Sequence, residues 1–279
     1  MSKQKQAIQE SKFRYKKGLG QNFIYDEALL QSLVCSTGLG KDDRVLEIGP
    51  GMGTLTKCLA EECGRVISLE IDEKLLPMLA VTLEKYPNAE VRLQDVMTAD
   101  LPAIAEELGS GFSVVANIPY YITTPILNRL LDSRLPLKTI AVMVQKEVAE
   151  KILACPGEEN YGPMAIKCQY YCEPEITTIV EKEHFTPVPK VDSAFVLLPL
   201  REHPLISVDN EDIFFKTVHA AFLMRRKTMA NNLTCAFEFG RDMAIACLTA
   251  CGLDERVRGE QLSIEEIGRL SDAINARIK

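Results

Sequence analysis

Three glycines, two carboxylates and an asparagine recur at the ends of successive apolar runs, where their types and spacing could hold a ligand. The segment VLEIGPGMGTLT carries Gly49, Gly51 and Gly53 directly after the acid Glu47. Glycine lets the backbone approach a ligand closely, and the start of the following helix attracts polar or anionic groups. The spacing is G-x-G-x-G rather than the G-x-G-x-x-G of dinucleotide sites. Glu70 closes the next run, VISLEID, 21 positions after Gly49, where a carboxylate can accept both hydroxyls of a ribose. NAD and S-adenosylmethionine (SAM) both offer that ribose. Asp95 closes VRLQDVM and can either accept the amino proton of the same cofactor's adenine or cap a helix. The fourth run, FSVVA, leads into NIPYYITTP over 117–125. Asn and Pro are common turn residues, yet ligands in doubly wound sheets bind where strands end, so Asn117, Ile118, Pro119 and Tyr120 are read as a fourth chemical position.

These positions need a scaffold that brings strand ends together. From Asp26, a plausible N-cap, helical and strand-like segments alternate: helices over 26–39, 54–63, 73–86, 101–109 and 124–133, strands over 44–49, 65–72, 89–95, 112–117 and 138–145. Such alternation predicts an α/β fold, a mostly parallel sheet with helices on both faces and right-handed crossovers. After residue 168 two strand-like runs, CQYYCEPEITTIVE and SAFVLLPLRE, are joined by HFTPVPKVD with no helix between them, which suits an antiparallel pair at the sheet edge. From about 204 the chain reads helical, over 210–233, 241–252 and 263–278.

The 279 residues suffice for a large and a small domain without staples, and 47% hydrophobic and 25% charged residues with no repeat argue against disorder and solenoids. The nine cysteines form no C-x-x-C pair, so reduced, mostly buried thiols are expected, with no metal site and a cytoplasmic location. His184, His203 and His219 show no metal spacing either. Nothing reads as a signal peptide or a membrane span. The net charge of −7 disfavours a nucleic-acid partner at first sight. The distribution matters more: residues 1–17 hold six cations against one acid, and 213–237 hold Lys216, Arg225, Arg226 and Lys227 with no acid. Two basic patches on an acidic body suit a polyanion, although a basic run is often only a solvated face.

The tetrad Asn117-Ile118-Pro119-Tyr120 resembles that of class I methyltransferases acting on adenine N6. Over nearly the whole chain the sequence is similar to the bacterial small-subunit ribosomal RNA adenine dimethyltransferases, in GQNFIYD (20–26), EIGPGMGTLT, NIPYYITTP, MVQKEVAEKI (143–152), YGPMAIKCQYYC (161–172), FTPVPKVDSA (185–194) and AFLMRRKTMANNL (221–233). The resemblance implies a class I SAM-dependent methyltransferase fold, Rossmann-like, with a small all-α C-terminal domain. It implies SAM contacts at Asn22, Ile24, Gly49, Gly51, Glu70, Asp95 and Asn117. It implies that Asn117, Ile118, Pro119 and Tyr120 hold the target adenine, with Phe185 closing on its opposite face or anchoring its own loop in the core, and that Arg225, Arg226 and Lys227 bind RNA. The activity implied is dimethylation of two adjacent adenosines in the hairpin near the 3′ end of 16S ribosomal RNA, within the small subunit or its precursor. Ile118 stands where leucine is frequent and Tyr121 where asparagine often follows.

The expected organisation is a basic segment over 1–25 leading into the SAM site, a methyltransferase domain over 26–203 and a helical RNA- or ribosome-binding domain over 204–279. A monomer is expected, since no exposed apolar heptad is present. Competing readings are a large-subunit adenine methyltransferase of the macrolide-resistance type, which KVDSA and RRKT disfavour, and a ribosome-assembly factor in which methylation is secondary. An NAD-dependent dehydrogenase fits only the first two strands and leaves NIPY unexplained.

Overall fold

In the computed structural model, which describes residues 21–278, the apolar runs become strands that converge on one rim. The basic segment expected over 1–25 falls, up to residue 20, outside the described residues. Packing divides the chain into two units. The first extends to Ala149 and resumes over Pro174–Leu200; the second comprises Glu150–Glu173 and continues from Arg201. A break near 200 was expected from sequence; the grouping of Glu150–Glu173 with the C-terminal helices was not.

The first unit contains β1 (Phe23–Ile24), β2 (Arg44–Ile48), β3 (Arg65–Glu70), β4 (Ala89–Leu93), β5 (Phe112–Asn117), β6 (Leu137–Gln145), β7 (Glu175–Val180), β8 (Phe185–Thr186) and β9 (Ser193–Pro199). Its helices are α1 (Glu27–Ser36), α2 (Thr54–Glu62), α3 (Leu76–Thr82), α4 (Leu101–Leu108) and α5 (Thr123–Asp132). The main sheet runs in the order β4-β3-β2-β5-β6-β9-β7. Pairing is parallel from β4 to β6, and β9 lies antiparallel to both β6 and β7. This is the class I methyltransferase architecture anticipated from sequence. The central strands are nearly unbroken Val, Ile, Leu and Ala runs because helices cover both faces. Edge strand β4 instead carries Glu90 and Arg92, and Arg92 pairs with Glu90 at 2.8 Å and Glu107 at 2.7 Å, charges that discourage further strand pairing. Asp26 caps α1 by accepting from Leu29 N (3.0 Å), and Asp100 caps α4 through Ala103 N (3.1 Å). The helix expected over 73–86 is a 3₁₀ turn at Glu73–Leu75 followed by the short α3.

The second unit holds α7 (Pro163–Tyr171), α8 (Glu211–Leu223), α9 (Met229–Phe237), α10 (Arg241–Ala250) and α11 (Ile264–Ile278); α6 (Lys146–Leu153) crosses into it. Two sequence expectations are corrected here. Residues 168–171 are helical, not strand, because Gly162 and Pro163 start a helix that carries through the aromatic pair. Tyr170 then stacks on Phe214 at 4.8 Å, and only Glu175–Val180 is strand. The helix expected over 210–233 breaks at 224–228, where Thr228 caps α9 by accepting from Asn231 N and Met229 N donates to Val257 O at 2.7 Å. Gly259 lies against the end of α8 so closely that an added Cβ would meet Ala221 O.

Beneath the glycine turn, Glu47 is fully buried and ties two strands and a helix: Thr56 of α2 and Ser68 of β3 donate to its Oε2 at 2.7 and 2.6 Å. Burial pushes the Glu47 carboxyl up from 4.5 to about 7; the two hydroxyls oppose the rise and the Glu70 charge adds to it. The unfolded chain ionises Glu47 near its ordinary value while the folded chain keeps it protonated up to about 7. The contribution is therefore complete below about pH 4.5 and is lost as pH rises from there to about 7. Glu47→Gln should gain on the wild type by on the order of 3 kcal/mol between about pH 5 and pH 8 in urea unfolding. A gap that did not change with pH would show Glu47 ionised in the folded protein at both ends.

Candidate active site

The chain passes from β2 to β3 and β4 on one side, then returns to place β5 on the other side of β2, so a crevice opens at the carboxyl ends of β2 and β5. The pocket there is lined by the sequence-predicted Asn22, Ile24, Gly49, Gly51, Glu70, Asp95 and Asn117, and by Ile118, Pro119 and Tyr120. All of these residues belong to the first unit.

The glycine turn follows β2. Gly51 has φ +58°, and a Cβ there would lie 2.6 Å from the Phe23 ring, so β1 can rest on the turn only because the residue is glycine. Gly49, at φ +71°, has nothing within 4 Å of an added Cβ. Gly53, at φ +81°, starts α2 without a side-chain cap.

Glu70 ends β3, 4% exposed. Its Oε2 accepts from Gly51 N (3.2 Å) and its Oε1 from Asp72 N (2.7 Å). Burial raises its carboxyl above the ordinary value, while the N–H groups of Asp72, Gly51 and Ile71 hold it down. The carboxylate keeps acceptor capacity beyond these N–H groups for a ribose hydroxyl. Asp95, past β4, accepts from Met97 N at 2.8 Å through Oδ1, but the bond closes a turn and α4 is capped by Asp100, so the helix-capping reading does not hold and Oδ2 can still accept an adenine amine. The acids, the glycine cradle and the apolar neighbours fit a nucleoside cofactor.

At the end of β5 the Asn117 side chain donates from Nδ2 to the Asn22 carbonyl at 3.1 Å. A carbonyl can only accept, so this contact fixes which end of the amide is which and leaves Oδ1 as the outward acceptor. The turn closes on the Pro119 carbonyl, from Ile122 N at 3.1 Å and more loosely from Thr123 Oγ1 at 3.4 Å, which leaves the Ile118 carbonyl outside the turn's own hydrogen bonds. The Tyr120 hydroxyl meets Ser193 Oγ at 2.7 Å. Burial pushes the Tyr120 phenol up, the Ser193 hydrogen bond lowers it and the nearby Asp192 raises it.

Phe185 does not line this pocket. It is 1% exposed, pairs with Ile24 across β8 and β1, and packs among Leu30, Leu33 and Phe195. Of the two readings, anchoring its loop in the core is the one the packing supports, because no face of the ring is free for a base. Arg225, Arg226 and Lys227 occupy the break between α8 and α9, not a helix face. Arg225 is engaged within its own unit, donating to Glu159 O at 2.9 Å and pairing with Glu260 at 3.2 Å, while Arg226 and Lys227 are exposed. The pocket also takes in Gln21, Met52, Ile71 and Val96, which sequence reasoning missed. Ile71 and Val96 each directly follow a strand-end acid, a signal that apolar walls flank the carboxylates.

A family model described as ribosomal RNA adenine dimethylase matches residues 12–276. The chain belongs to that family. It is 46% identical to the ribosomal RNA small subunit methyltransferase A of Geobacillus kaustophilus, over 97% of this chain and 94% of the relative, and 45% identical to that of Shouchella clausii, over 96% and 92%. Among solved structures it resembles a dimethyladenosine transferase from Plasmodium falciparum, with TM-score 0.78, 25% identity and coverage of 91% and 98%. It also resembles the 23S rRNA methyltransferase ErmE, with TM-score 0.70, 28% identity and coverage of 91% and 99%. The chain is an enzyme of the methyltransferase class, and no helix among the described residues is long and apolar enough to cross a membrane.

The Tyr120–Ser193 contact can be weighed directly. In a double-mutant cycle of Tyr120→Phe and Ser193→Ala, unfolding free energies should show a coupling of about 1 kcal/mol. Strict additivity would mean that the hydroxyls do not bond in solution.

Proposed function

We propose that the chain transfers methyl groups from SAM to the N6 amino groups of adenosines in small-subunit ribosomal RNA, giving dimethyladenosine, as an enzyme of small-subunit maturation. The observation that carries this reading is the Asn117 amide, oriented by the Asn22 carbonyl at the end of the strand beside the glycine turn. The names of the curated relatives favour the small subunit, and their identities exceed that to the ErmE structure.

SAM, when bound, supplies an electrophilic methyl on a sulfonium. Glu70 would accept its ribose hydroxyls and Asp95 its adenine amine, with Gly49, Gly51, Asn22 and Ile24 around the remainder. An exocyclic amine is a poor nucleophile because its lone pair is delocalised into the ring. Asn117 Oδ1 and the Ile118 carbonyl would each accept one of its protons, which holds the nitrogen pyramidal and returns the lone pair to it. Two acceptors suffice, so no strong general base is required. Pro119 stiffens the turn. Tyr120, its hydroxyl held by Ser193, would stack on an adenine extruded from its helix. Arg226 and Lys227, with the basic residues before position 21, would supply phosphate contacts that position without reading sequence. The enzyme is read as a cytoplasmic monomer.

The test is methyl transfer from labelled SAM to small subunits that lack adenine dimethylation, with mature small subunits and large subunits as controls, followed by nucleoside analysis. Dimethyladenosine only on the undermethylated small subunits is the expected product. Label on the large subunit would reassign the substrate, and binding without label would leave an assembly factor. Asn117→Ala should lower the transfer rate by about 100-fold or more, the scale of losing one aligned catalytic hydrogen bond. It should change SAM affinity far less; an equal loss in both would make Asn117 a cofactor ligand only.

A further inference from the structure

We propose that Tyr121 is the platform on which the nucleotide beside the target adenosine stacks in the bound RNA, a role that rests on the RNA-methylating reading above. Tyr121 is 59% exposed, yet it lines the same pocket as Asn117, Pro119 and Tyr120. The two consecutive tyrosines are treated oppositely by the fold. Tyr120 is half-buried and its hydroxyl is held by Ser193, whereas Tyr121 has no hydrogen-bond or ring partner among the described residues.

Both tyrosines belong to the 3₁₀ turn Tyr120–Ile122. In that geometry successive side chains point about 120° apart, so the two rings cannot lie against the same face of one base. If Tyr120 takes the extruded adenine, the Tyr121 ring is turned toward a different part of the ligand, at the lip of the pocket. Extruding a base also removes one stacking partner from its neighbour, and an exposed aromatic face at the point of exit replaces that lost stack. A phenol face accepts any base, so Tyr121 supplies affinity and registration and leaves the choice of target to the pocket. Its hydroxyl has no part in this role, and a phenylalanine or tryptophan would serve as well.

The test compares steady-state methylation of undermethylated small subunits by wild type, Tyr121→Ala, Tyr121→Phe and Tyr121→Trp, with thermal midpoints to verify folding. Tyr121→Ala should raise the KM for the subunit on the order of tenfold, within the range one base–aromatic stack is worth. Its kcat and its KM for SAM should change less than twofold, and the Phe and Trp variants should stay near wild type. Three results would overturn the role: an unaltered KM in Tyr121→Ala, an equal defect in Tyr121→Phe, or a loss confined to kcat. The two readings fail differently. A wild type without transfer to these subunits sinks the function and the platform with it, whereas an active wild type matched by Tyr121→Ala sinks the platform alone.

Discussion

Two adjacent parallel strands cannot be joined by a tight hairpin, so every return of the chain from β2 to β6 crosses a face of the sheet, and each of these strands ends at the same rim. That constraint gathers Gly49, Glu70, Asp95 and Asn117, which are far apart in sequence, around one crevice. It also dictates what each strand end may be. Gly51, in the turn after β2, must be glycine because β1 rests on it, and the β3 end is a carboxylate whose burial is offset by backbone N–H groups. Glu47 secures the base of this arrangement, holding α2 and β3 to β2 through two buried hydroxyls.

The parallel half was legible because its signals are local and repeated: an apolar run, then an acid or glycine, three times over, and an asparagine at the fourth. The cofactor-side residues and the NIPY tetrad could be read one strand end at a time, and the structure brings them together. What sequence did not give depends on distant partners. The Asn22 carbonyl acts through its backbone, which carries no residue-type signature, and Ser193 meets Tyr120 across 73 positions. Phe185 shows the converse problem: an aromatic beside a proline-rich loop has the same letters whether it faces a base or the core, and here it faces the core.

In the helical unit the errors came from competition between local and tertiary preferences. Tyr170 and Tyr171 favour strand, but the helix begun at Gly162 and Pro163 carries them against Phe214 and Phe215. The three cations at 225–227 read as helical because nothing in their own types breaks a helix. Thr228 was the available sign, since a hydroxyl at that point can start a new helix by capping it. The break changes the meaning of the cations: Arg225 fastens its own unit, and two exposed charges remain.

The pairing of β1 with β8 joins residues 23 and 24 to residues 186 and 185, near opposite ends of the first unit. A chain emerging from the ribosome thus exposes its glycine turn and its tetrad well before it can fasten the segment that orients Asn117 or supply the serine that holds Tyr120. Both fastenings come from the stretch after the excursion through Glu150–Glu173. The pocket is consequently a late product of synthesis, closed by the same return that completes the sheet, and a nascent chain short of residue 193 would carry the reactive groups without their alignment.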